Sequence, residues 1–286
     1  MDKPWRRFFD PSRITLLVGI PTILVAGILS YRETQTLELP SVVSLAVVLG
    51  LIVLFLACAG ESFAQMFRPS HRGLARSSFF VSQLVKYIPG GGLAQFASQS
   101  SQMGLGGRHG PVIVAKSKLV AAVAGLVWGP VFALTVDSVP LIVRLLVAAG
   151  GLSLVLLWPP MLSKVARRLE PSEGEHADDR ELAANLRSLL WAMVSIGAAG
   201  LAFFVAIADS PESPGALPAI AAYAVAWTIG YLAVPFPGGI GVREAVLTLL
   251  LPLGASTLLV AAVVVRVLQI GSELVLALVI APMLRR

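Results

Sequence analysis

Charge is scarce in this 286-residue chain: Asp, Glu, Lys and Arg make up 13% of it, against 56% hydrophobic residues and a mean hydropathy of +0.83. A soluble domain must cover its surface with polar groups, so that class is excluded. Cysteine is nearly absent. The lone Cys58 lies in an apolar run, which leaves no intrachain disulfide or cysteine-based metal site. His71, His109 and His176 fall in polar connections without metal-ligand spacing, so neither metal nor cofactor is expected. No GxxxxGK[ST] loop for a nucleotide is present. The net charge of +6 comes from basic residues beside apolar spans with no aromatic interleaving, which excludes a nucleic-acid partner and points to loop charge.

Long apolar runs are what the sequence has in quantity. Crossing about 30 Å of hydrocarbon takes roughly 20 apolar residues as helix, and runs of that length recur over 14–30, 42–66, 112–136, 141–161, 189–208 and 257–281. The pattern predicts one all-α, polytopic integral membrane domain over 1–286, with about six spanning helices, and a multi-pass protein of the cell membrane. The N-terminal Lys3, Arg6, Arg7 and Arg13 precede the first run as in a signal peptide, but no small-x-small cleavage site follows, so a retained helix is expected.

Two further apolar regions, about 77–103 and 216–251, are each split by Pro-Gly-Gly. The connections at the N-terminus and at 68–76, 104–118 and 162–187 carry four, three, three and five Lys or Arg, whereas the alternate connections are poor in them. The excess of basic residues marks the cytoplasmic side. The counts fit one topology if each split region is a re-entrant hairpin, the first entering from the cytoplasm and the second from the opposite face. Both termini are then cytoplasmic. The 162–187 stretch reads as a cytoplasmic loop with Asp178 and Asp179 solvated.

In hydrocarbon a broken helix is tolerated only inside protein or beside a watery cavity. In KYIPGGG (86–92) and PFPGGIG (235–241) the proline ends one arm and the glycines let the chain turn. The arm that follows each break begins with unpaired N–H groups, an anion site in waiting. Two interrupted segments in opposed orientation are the mark of an inverted-topology transporter, with a site near the midplane between them. Arg243, Glu244, Arg266 and Glu273 also fall inside apolar segments, each at a cost of about 2.5–3.5 kcal/mol if left alone. Arg266, Gln269 and Glu273 share one helical face at i, i+3, i+7. Two readings of these charges stand: an ion-pair network locking helices together, or arginines that receive an anion, with the glutamates holding them otherwise. Glu61, Lys116 and Lys118 read as interfacial, and Tyr223, Trp227 and Tyr231 as an aromatic stripe for packing or for an interface belt.

The segments KYIPGG (86–91), PGGIGVRE (237–244) and VVVRVLQIGSELV (263–275) resemble the transmembrane region of lysylphosphatidylglycerol synthases, the flippase domain of the multiple peptide resistance factor and its stand-alone relatives. With matching span order the likeness covers about residues 14–281. It implies a helical membrane domain with two re-entrant hairpins around a lipid-accessible cavity and movement of a charged lipid between leaflets. Its site positions carry over to Lys86, Pro89, Gly90, Gly91, Pro237, Gly238, Gly239, Gly241, Arg243, Glu244 and Arg266, to which the polar stripe adds Gln269 and Glu273. The chain departs from the family at the neutral run Ser98–Gln102 and at Lys116 and Lys118, where many relatives carry a charged and an acidic residue. No counterpart of the aminoacyl-transferring domain is present, so lipid modification is not expected.

The expected function is therefore a translocase, not an enzyme, with an anionic phospholipid or a polyprenyl phosphate as partner. The competing expectations are a membrane-embedded transferase acting on lipid-linked substrates, and a non-transporting partner of an envelope-synthesis enzyme. The first would need a general base or paired carboxylates in the membrane.

Overall fold

The structure is a computed structural model, and it describes residues 40–87, 91–103, 109–152, 176–233, 237–239 and 241–280, with Met283. Among these the chain is all-helical, with no strand. The helices are α1 (Val42–Gln65), α2 (Arg72–Gln83), α3 (Gly91–Gln102), α4 (His109–Leu126), α5 (Gly129–Thr135), α6 (Leu141–Leu152), α7 (His176–Ile207), α8 (Ala216–Leu232), α9 (Val242–Leu250) and α10 (Ala255–Val275). A 3₁₀ turn, Leu84–Tyr87, extends α2, another, Pro237–Gly239, precedes α9, and a π turn, Leu276–Ile280, extends α10.

Four helical stretches are long and apolar enough to cross a membrane: Val42–Gln65, Pro111–Thr135, Leu182–Ile207 and Val260–Val279. Their outer faces remain apolar and exposed, as Val47, Leu49, Val53 and Leu54 on α1 illustrate. The expected span over 14–30 lies outside the described residues, and that over 141–161 is described only to Leu152. The Pro111–Thr135 stretch is not one regular helix. It breaks at Val127–Trp128, and Pro130 sits in the first turn of α5, where its missing N–H and its ring would otherwise disrupt the ladder.

The 162–187 region departs from expectation, because α7 already starts at His176. Asp178 and Asp179 thus fall in the first turn of a helix rather than in an extended loop. Acidic residues there complement the helix dipole, and Glu181, Leu182, Ala183 and Ala184 are strong helix formers.

The core forms around α7 and α8. The most extensive pairing is α1 with α7, and α8 packs on α7, α5, α4 and α9. Apolar burial drives little association between helices already in lipid, so close approach and interhelical hydrogen bonds must do it. Ser62 Oγ donates to Ser188 O at 2.8 Å, Ser188 Oγ returns a bond to Ser62 O at 2.7 Å, and Ser195 Oγ reaches Phe55 O at 2.8 Å, joining α1 to α7 along their length. On α8, Ala219, Ala221, Ala222, Ala224 and Ala226 are all buried, so its neighbours come within backbone range. A Cβ added at Gly200 of α7 would lie 2.9 Å from Ile220 Cα.

Candidate functional site

The second glycine break meets the two elements that flank the first. The Pro237–Gly239 turn packs against both Leu84–Tyr87 and α3. Gly238 and Gly239 have φ of +57° and +69°, a left-handed backbone that side chains rarely adopt. A Cβ on Gly238 would stand 3.3 Å from the Tyr87 ring, and one on Gly239 would stand 2.6 Å from Gly230 O. The sequence needs glycine here for a backbone-to-backbone approach as well as for the turn.

Beside this junction lies a cavity of about 1060 Å³, its open mouth included. Its wall carries four cations, Lys86, Lys118, Arg243 and Arg266, and the amides Gln83, Gln95, Gln99 and Gln269, against an apolar side that includes Phe55, Phe63 and Trp227. Among the described residues no Asp, Glu, His or Cys is part of that wall. Among the described residues no three His, Cys, Asp or Glu come together as a metal site.

Each cation is fixed differently. Lys86 Nζ lies 2.5 Å from Glu273 Oε1 and 3.0 Å from Gln83 Oε1. Glu273, with its side chain fully buried, also accepts from Tyr87 OH at 2.8 Å and from Gln269 Nε2 at 2.7 Å. Arg266 donates from Nη2 to Gly238 O at 3.0 Å and stands 3.8 Å from Glu244, while its buried Nη1 has no partner. Arg243 donates from Nη1 to Tyr223 OH at 3.0 Å, with a buried Nε that has no partner. Lys118 Nζ donates to Gln95 Oε1 at 2.8 Å and lies 5.8 Å from the centre of the Tyr231 ring.

Of the positions singled out from sequence, Lys86, Gly238, Gly239, Arg243, Arg266 and Gln269 line this cavity together. Pro89 and Gly90 lie outside the described residues, as does the side chain of Pro237. Gly91 opens α3, and its neighbour Gly92 is in the wall. Glu244 is not in the wall. Its Oε2 accepts from Gly241 N at 2.8 Å, so α9 caps its own N-terminus and that N–H is not offered to an anion. Glu273 is also set back from the wall, and it holds Lys86 rather than an arginine.

Lys118, to which its sequence context assigns no chemistry, also lines the cavity, brought there by helix α4. The available signal was its place eight residues into an apolar stretch starting at Pro111, deep for a snorkelling lysine. Trp227 and Tyr231, expected as packing or an interface belt, stack on each other at 4.8 Å and also face the cavity.

No protein-family model matches the chain, and no curated protein matches it. The four apolar crossing-length helices identify a membrane protein, and its activity has to be argued from the cavity.

Proposed function

We propose that this chain is a lipid translocase that moves an anionic phospholipid or a polyprenyl-phosphate-linked lipid between leaflets. In this reading the two glycine breaks are the tips of oppositely oriented re-entrant hairpins, and the protein sits multi-pass in the cell membrane with cytoplasmic termini. The observation that carries the proposal is the cavity wall: among the described residues it holds four cations and no carboxylate, in a protein whose outer faces are apolar. Cations at such depth are costly unless a counter-charge meets them. The orphaned Arg243 Nε and Arg266 Nη1 are donors of the kind a phosphate oxygen satisfies. The lipid tails would remain in the bilayer while the headgroup occupies the cavity. The motifs shared with the flippase domain of lysylphosphatidylglycerol synthases support the same conclusion.

The wall's four cations support translocation; a lipid-linked transferase needs a general base or a metal-holding pair, and among the described residues none lines the cavity. The deciding experiment reconstitutes the full chain in vesicles and follows fluorescent phosphatidylglycerol and phosphatidic acid by dithionite quenching. Faster exchange of at least one anionic lipid, slowed about tenfold or more by Arg243→Gln or Arg266→Gln, is the expected result. Exchange no faster than in protein-free vesicles would overturn the proposal.

A further inference from the structure

The cavity's charge is not spread evenly. Arg243 and Arg266 stand at the Pro237–Gly239 turn, their guanidinium groups retaining two buried N–H donors without partners. Lys118 approaches from α4, anchored by Gln95 of α3 and lying near the Tyr231 ring of α8. An ammonium has three donors, and the Gln95 bond uses one. The charge count is equally specific. Lys86 is matched by Glu273 and Arg266 by Glu244, but among the described residues no carboxylate pairs with Lys118 or Arg243. With all four ionised, four cations against two carboxylates leave an excess of +2 around the cavity among the described residues.

We propose that the cavity has two anion-receiving poles, Arg243–Arg266 and Lys118–Gln95, and that it takes a phosphate group bearing two negative charges, a phosphate monoester or a diphosphate, in preference to a singly charged phosphodiester. This rests on the translocase reading and narrows it. A dianion neutralises the excess, whereas a phosphodiester leaves one buried positive charge uncompensated. A phosphate monoester near neutral pH already carries about −1.5 to −2 charge, and two poles of positive charge favour the fully ionised form. The arginines present planar forks that grip two oxygens, and the lysine acts on a third as a point charge. Lys118 is thus a specificity-determining residue, the one that tells a monoester or diphosphate from a diester.

The test uses the full chain in nanodiscs of neutral phosphatidylcholine, with binding of phosphatidic acid, phosphatidylglycerol and inorganic pyrophosphate read by native mass spectrometry. Phosphatidic acid is expected to bind about tenfold or more tightly than phosphatidylglycerol. Lys118→Gln should bring the two to similar affinity, Lys118→Arg should keep the preference, and Arg243→Gln should weaken both. Lys118→Gln removes a buried charge that no described carboxylate pairs with, its amide keeps a donor for Gln95, and an unchanged melting temperature establishes that the variant folds. Equal binding of the two lipids by the unmodified chain, or a preference indifferent to Lys118→Gln, overturns the inference and leaves the translocase reading standing. Binding of neither lipid overturns both. Pyrophosphate bound with the same dependence on Lys118 supports the dianion site while assigning it to a soluble ion, against lipid transport.

Discussion

Arg266 of α10 donates from Nη2 to the carbonyl oxygen of Gly238 at 3.0 Å, tying the last described helix to the turn between α8 and α9. Arg266 therefore holds the glycine break in place and is also part of the cavity wall. Arg266→Gln loses both roles. Forfeiting one charge-assisted hydrogen bond of about 1.5–3 kcal/mol should slow lipid exchange by about tenfold or more. Arg266→Lys keeps the charge without the fork and should fall between the two. Dithionite exchange rates on the three proteins check this.

The glycines of the second break should rank by space as well as by φ. Gly239→Ala combines a left-handed φ with a Cβ 2.6 Å from Gly230 O, so a loss of about 2 kcal/mol or more is expected. Gly241→Ala has φ of +83° but open space around its Cβ, and about 1 kcal/mol is expected. Thermal unfolding in detergent should place Gly241→Ala clearly closer to the unmodified chain.

The Lys86–Glu273 pair is shielded on both sides, so removing one partner strands the other. Glu273→Gln or Lys86→Gln alone should each destabilise by about 3 kcal/mol, and the double variant by much less than their sum. A double-mutant cycle in chemical denaturation reads the coupling, and simple additivity would mean the pair does not form.

α6 should be equally particular. A Cβ on Gly151 would lie 2.1 Å from Leu126 O of α4, whereas Gly150 faces open space. Gly151→Ala should therefore cost stability, by about 2 kcal/mol or more through overpacking against backbone, and Gly150→Ala should be neutral or slightly favourable in the same melting experiment.

These contrasts mark where sequence was informative. The apolar runs of α1 and α10 are long enough that length alone defines them, and PGG within such a run disfavours a continuous helix, so the class and the interruption at Pro237–Gly239 were legible. The start of α7 at His176 was not, because a charged stretch is equally at home in a loop or in the solvated first turns of a long helix. Which polar residues line the cavity was the other blind spot. Lys118 and Lys116 are two residues apart and chemically identical, and only the packing of α4 against α3 and α8 brings Lys118 to Gln95 and Tyr231. Likewise Glu244 and Glu273 are both intramembrane carboxylates in sequence. One became a helix cap and the other a lysine's partner, a division set by which donors the fold places within 3 Å.

The most direct measurement is an experimental density map of the full chain in nanodiscs supplemented with phosphatidic acid. The account predicts a phosphate-sized feature within hydrogen-bonding distance of Arg243 and Arg266, with the glycerol and acyl chains leading away along the apolar wall. A well-resolved map in which the two guanidinium groups meet only protein atoms, with lipid density confined to the outer faces of α1 and α10, would contradict it.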